Sequence, residues 1–202
     1  MIAVIDYGVG NLFSLCSSLK SIGADTVVTS NAAQIAAADK LILPGVGAFG
    51  DAAQKLRDCG LDRVICDQAA KGKYVMGICL GMQLLFEKSF EYGEHKGLEL
   101  LKGEVVPMEG RLEKELKIPH IGWNALHFTR ENALFKYISD GDFVYFVHSY
   151  YAENCNDSLI ATAEYGKELT AAVALGNIMG CQFHPEKSGK VGLNILRGFC
   201  EL

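Results

Sequence analysis

VMGICLGMQLLF, Val75 to Phe86, changes its apolar pattern partway along. Up to Ile78 the run reads as a strand, and from Leu80 onward its apolar residues recur at helical spacing. Two glycines bracket the change with Cys79 between them. Gly77-Ile78-Cys79-Leu80-Gly81 therefore has the G-x-nucleophile-x-G form of a strand-to-helix elbow. Only residues without a Cβ let strand, turn and helix approach closely enough to hold the central residue in an exposed, strained pose. A helix continuing through Met82, Gln83, Leu84 and Leu85 places Cys79 at its N-terminus, where free amides stabilise a thiolate. Out of this context Cys79 reads as a buried thiol, because free cysteine is among the most buried residue types.

Working outward, the same strand, glycine turn and helix recur. IAVID leads through YGVGN into LFSLCSSLKSIG, DTVVT follows, and KLILP leads through GVGAFG into DAAQKLRDCG. Short apolar strands alternating with amphipathic helices imply βαβ units and a doubly wound, mostly parallel sheet covered on both faces. After about Glu91 the chain turns to strand-like runs: LELLKGEVVPM, DFVYFVHSYYAE, SLIATAEY, LTAAVAL and NIMGCQFH, closed by a helix in VGLNILRGFCEL. No Pro/Gly/Ser linker separates them from the first half, so they read as a mixed-sheet extension of one domain spanning residues 1–202. RLEKELK, residues 111–117, reads as a solvated surface segment.

At 202 residues, half of them hydrophobic, the chain can bury a sizeable core. A net charge of −5 without any Lys/Arg block gives no reason to expect nucleic acid or an anionic membrane as partner. Seven cysteines, an odd number without a C-x-x-C pair, indicate neither a disulfide framework nor a zinc cluster. No signal peptide or membrane-spanning run is legible. A reducing cytoplasm is the expected compartment.

Chemistry concentrates in two further places. In CQFHPEKS, Cys181 to Ser188, Pro185 biases His184 toward an extended conformation, in which His184 and Glu186 project from one side and can meet as a base and its orienter. A strand-end histidine beside a solvated glutamate explains the same tripeptide. In LILPGVGAFG the backbone amides after Pro44 can supply one donor to a tetrahedral oxyanion, and the Leu80 amide the other. Taken alone, the stretch reads more readily as an ordinary βα turn with glycine at positive φ. Gly8-Val9-Gly10-Asn11 opens like a dinucleotide fingerprint, but Phe13 stands where the third glycine belongs.

Taken in order, PGVGAFG, GICLGMQLLF and FHPEKS resemble the class I (triad) glutamine amidotransferases, whose fold is flavodoxin-like. DYGVGN, PHIGWN and YFVHSYY are similar, more narrowly, to the glutaminase subunits of imidazole glycerol phosphate synthase. The resemblance implies that Cys79 attacks the side-chain amide of glutamine, with His184 and Glu186 completing the triad. It also places Val46 and Gly47 in the oxyanion strand, gives Gln83 a role in holding glutamine, and sets Ser149 and Tyr150 against the amino-acid end. The implied partner is a separate (β/α)8 cyclase that consumes the ammonia. Its surface is expected at Asn11, the loop Pro119, His120, Trp123 and Asn124, Tyr145 and Lys187, with Trp123 as anchor. Trp123 also reads as a core aromatic. No cofactor or metal is implied.

Three other readings fit parts of the chain: a glutaminase of pyridoxal phosphate or anthranilate formation, a flavodoxin-like cysteine hydrolase, and a binding module that kept the fold without activity. PHIGWN and CLGMQ argue against the first, and the intact Cys79, His184 and Glu186 against the last.

Overall fold

The computed structural model describes residues 1–113 and 116–202. The first half runs β1 (Ile2–Ile5), α1 (Leu12–Ser21), β2 (Thr26–Thr29), α2 (Ala32–Ala37), β3 (Lys40–Gly45), α3 (Phe49–Asp58), α4 (Leu61–Ala70), β4 (Tyr74–Cys79) and α5 (Leu80–Gln83). The second half runs β5 (Lys88–Ser89), β6 (His95–Lys96), β7 (Glu104–Pro107), β8 (His120–Ala125), β9 (His127–Phe128), β10 (Phe143–His148), β11 (Tyr150–Glu153), β12 (Leu159–Glu164), β13 (Glu168–Leu175), β14 (Ile178–Cys181) and α6 (Gly189–Cys200).

The main sheet has the order β2-β1-β3-β4-β14-β13-β12-β9. From β2 to β14 its pairs are parallel, and β13, β12 and β9 continue it antiparallel, which is the expected mixed extension. Alternation along β1 sends Ala3 and Ile5 to one face and Ile2 and Val4 to the other. The first face is covered by α2, α3 and α4 through Ile35, Phe49, Leu56 and Ile65. The second is covered by α1 and α6 through Leu15, Leu19, Ile195 and Phe199. Burying each such Leu, Ile or Phe side chain contributes roughly 1.5–3 kcal/mol. Among the described residues no helix is long and apolar enough to cross a membrane.

The second half departs from the expected runs where polar breaks fall. LELL forms no strand, and only Glu104–Pro107 of that stretch pairs. DFVYFVHSYYAE divides at Ser149, sending β10 to a two-stranded ribbon with β8 and β11 to a small sheet of order β11-β7-β5-β6. The segment at 119–124, expected as a loop, is mostly β8, antiparallel to β10. Within RLEKELK, Arg111, Glu113, Leu116 and Lys117 are exposed, and residues 114 and 115 lie outside the described residues.

Candidate active site

The cysteine elbow forms at the carboxyl end of β4, beside the end of β3, where open parallel sheets of this order gather their ligands. Cys79 has φ 55° and ψ −114°, a backbone pose that a side-chain-bearing residue adopts only under constraint. The constraint is close packing of glycines. A Cβ on Gly77 would lie 2.5 Å from the Gly81 carbonyl oxygen, and one on Gly81 only 1.8 Å from that of Leu43. Gly45 is part of the same lock, with its Cβ position 2.7 Å from the Gly81 nitrogen. The helix after the elbow is much shorter than expected. It closes with Leu84 N–H on the Leu80 carbonyl, and Lys88 already begins β5. One turn sums little macrodipole, so support for a thiolate at Cys79 has to come from side chains.

His184 follows β14, the strand paired in parallel with β4. It is extended, with φ −101° and ψ 98°, as Pro185 requires. Pro185–Lys187 then forms a 3₁₀ turn, and this turn, rather than continued extension, brings Glu186 Oε1 within 2.8 Å of His184 Nδ1. Both side chains are 3% exposed. Burial alone would lower the imidazole, but hydrogen bonds to Cys79 and Glu186, and their charges, raise it to about 9. Nδ1 serves Glu186, which leaves Nε2 for the sulfur. Ser188, which sequence reasoning missed, pins the turn: its Oγ donates to the His184 carbonyl at 2.6 Å and accepts the Tyr145 N–H at 2.9 Å.

A cleft of about 640 Å³ opens over the elbow. Cys79, His184, Leu80, Val46, Gly47, Gln83, Ser149 and Tyr150 all line it, so residues from β3, β4, β10 and β14 and their turns converge there. Gly47 has φ 91° and open space around its Cβ position, whereas Gly45 is packed, so conformational freedom in this turn resides at Gly47. Gln83 spends its amide nitrogen on the Tyr150 carbonyl at 3.1 Å and on Gln182 Oε1 at 2.9 Å, leaving Oε1 free to accept. Two carboxylates not anticipated from sequence, Glu91 and Glu109, also line the cleft. Burial pushes the Glu91 carboxyl up.

The surface residues divide by strand alternation. Trp123 is 55% exposed, so it is not a core aromatic. Its ring meets that of Tyr145, its partner across the ribbon, edge-on at 6.1 Å, and Lys187 Nζ lies 5.9 Å from the Tyr145 centroid. Pro119 is exposed and lines the cleft. His120 corrects the expectation of a surface residue: it is 3% exposed, because alternate residues of β8 point inward. There its Nδ1 lies 3.1 Å from His148 Nε2. Asn124 points the same way, donating to the Glu164 carbonyl at 2.8 Å. Asn11 is half-buried and caps α1, accepting from the Ser14 N–H at 3.5 Å. Gly10, in the fingerprint-like turn, serves a close approach, its Cβ position lying 3.2 Å from Pro44.

The chain matches the family described as glutamine amidotransferase class-I over residues 3–201. It is 51% identical over 203 residues to imidazole glycerol phosphate synthase subunit HisH of Caldanaerobacter subterraneus, covering 100% of this chain and 98% of that one. It is 50% identical to the HisH subunit of Aquifex aeolicus, covering 97% and 94%. Among solved structures it superposes on a glutamine amidotransferase with a TM-score of 0.77 at 17% identity, covering 100% of this chain and 98% of that one. It superposes on PurLQS from Thermotoga maritima with a TM-score of 0.74 at 21% identity, covering 99% and 97%. At those identities the structural matches speak to the fold alone.

Proposed function

Because this chain belongs to the class-I glutamine amidotransferase family, we propose that it is the glutaminase subunit of imidazole glycerol phosphate synthase, supplying ammonia to a barrel cyclase in histidine biosynthesis. The observation that carries the proposal is the meeting of a strained cysteine and a buried His–Glu pair in one cleft. On this reading Cys79 Sγ attacks the side-chain carbonyl carbon of glutamine, and the oxyanion is met by the Leu80 amide and an amide of the Val46–Gly47 turn. His184 protonates the departing nitrogen, ammonia leaves and a glutamyl thioester remains. Water, deprotonated by His184, then releases glutamate and restores the thiol. Gln83 Oε1 suits the α-ammonium of glutamine, since an acceptor is all it has left to offer, and Ser149 and Tyr150 flank the same end. No cofactor or metal is needed. One domain over residues 1–202 is supported by a main sheet that takes strands from both ends of the chain. A cytoplasmic site of action is supported by the biosynthetic relatives. The test is glutamine hydrolysis measured alone and with the cyclase carrying its nucleotide. Unstimulated, stoichiometrically pointless hydrolysis, or none in either state, would refute the proposal.

Two variants examine its parts. Gly47→Val, disfavoured at φ 91°, is expected to lower cyclase-stimulated kcat roughly 100- to 1,000-fold with little change in KM, the pattern of a lost oxyanion donor. A change confined to KM would show that substrate binding had been altered instead. Trp123→Ala is expected to weaken cyclase binding by about 2 kcal/mol or more while leaving the melting temperature nearly unchanged, because the ring is largely exposed. Calorimetric titration and thermal unfolding separate those outcomes.

A further inference from the structure

Gln182 stands two residues before His184, is fully buried, and holds its Nε2 3.7 Å from Cys79 Sγ. Its orientation follows from one fixed acceptor. The Tyr150 carbonyl can only accept, so the Gln83 atom 3.1 Å from it is Nε2. That same Nε2 also needs an acceptor on Gln182, which must therefore present Oε1 at 2.9 Å. The Gln182 Nε2–H groups are then left for the sulfur.

A second chain fixes the same carbonyl. His148 Nδ1 lies 2.8 Å from it and so carries the ring hydrogen. His148 Nε2 then accepts from His120 Nδ1, and His120 Nε2 is left to accept from Asn124 Nδ2 at 3.4 Å. Burial pushes His148 down to about 3 and His120 to about 4, so each imidazole is neutral, with one donor and one acceptor, across the neutral range. Tyr150 thus holds two donors, and flipping either amide would leave a buried group unpaired.

We propose that Gln182 is a further catalytic residue, its Nε2–H donating to the Cys79 sulfur to hold the thiolate, with Gln83 and the Tyr150 carbonyl as positioning groups that keep the amide from flipping. The inference rests on Cys79 being the nucleophile. A donor favours the charged form of the group it faces, and a thiolate accepts far better than a thioester sulfur. Gln182 therefore acts where negative charge sits on sulfur, before attack and as the thiolate leaves in deacylation. The other ionisable groups facing that sulfur are His184, Tyr7 and Cys181, and burial pushes the last two up, so only His184 exchanges protons with it near neutrality.

Gln182→Met keeps length and burial while removing the donor. In the full-length chain, Cys79 alkylation by iodoacetamide is followed by peptide mass spectrometry across pH. The pH of half-maximal rate is expected to move up by about one unit, and with the cyclase present kcat should fall roughly 10- to 100-fold at unchanged KM. If that variant does not fold, Gln182→Glu, which keeps the acceptor facing Gln83, is measured in the same way with the same upward shift expected. An unchanged pH profile in a folded variant overturns the inference even if turnover falls, because a packing role would give that result. Failure of the wild type to hydrolyse glutamine would instead overturn the glutaminase reading, and the alkylation comparison would still decide the role of Gln182.

Discussion

Cys79→Ala, assembled with the cyclase, is expected to lose glutamine-dependent turnover by roughly 10⁴-fold or more while keeping its turnover with free ammonia. Alanine retains the Cβ and so fits the φ 55° elbow as well as cysteine does. The glycine lock of Gly45, Gly77 and Gly81 is untouched, and the fold and partner surface should persist. What disappears is the sulfur on which the proposed thioester forms. Comparing ammonia- and glutamine-driven synthesis in one preparation separates chemistry from assembly. In the wild type a glutamine-analogue adduct should fall on Cys79, and an adduct on any of the other six cysteines would defeat the assignment.

Glu186→Gln should cost on the order of 10²- to 10⁴-fold in kcat with the site geometry preserved. Its Oε1 can still accept from His184 Nδ1, and the new amide nitrogen falls where Glu186 Oε2 has no partner, so the substitution removes charge rather than shape. The same change has a signature in stability. His184 is raised from 6.5 to about 9 in the folded chain, so the fold binds its proton more tightly than the unfolded chain does. That stabilisation is fully present below about 6.5 and is lost as pH rises through about 9. Removing the carboxylate lowers the folded value and weakens the effect. The gap in melting temperature between wild type and variant should therefore be widest below about pH 6.5 and close as the pH rises through about 9. A gap independent of pH would mean that the Glu186 charge does not act through His184.

Much of this architecture was legible because backbone need and residue type coincide. The apolar strands with glycine turns and the G-x-C-x-G elbow each carry their geometry within a few residues, and the HPE tripeptide carries its pairing, though through a 3₁₀ turn rather than the extension read for it. Other features depend on contacts between distant segments. Gln182 and Ser188 look like ordinary polar residues until β14 lies against β4 and the following turn against β10. The pairing of His120 with His148 depends on the register of β8 and β10, which no local pattern sets. The brevity of α5 reflects the 98–101 segment, whose N–H groups take the carbonyls of Leu84, Leu85 and Phe86, a run that looks equally helical in sequence. Helix α4 did have a signal, with Leu61, Ile65, Gln68 and Ala69 buried at helical spacing, hidden because Gly60 in the left-handed region reads as an end rather than a junction. The segment 119–124, read as a loop, is drawn into a ribbon by its pairing with β10.

The position of β14 also bears on how the chain comes into being. It is threaded between β4 and β13, although about 100 residues separate it from β4 in sequence. While the polypeptide is being synthesised from its N-terminus, Cys79 emerges long before His184 and Glu186, and β4 keeps an open edge until the last strand arrives. On the proposed mechanism the nascent chain thus carries a thiol with neither its base nor its amide donor. On that mechanism glutaminase activity cannot precede completion of the sheet, because the strand that closes the β4 edge is the one that leads to His184 and Glu186.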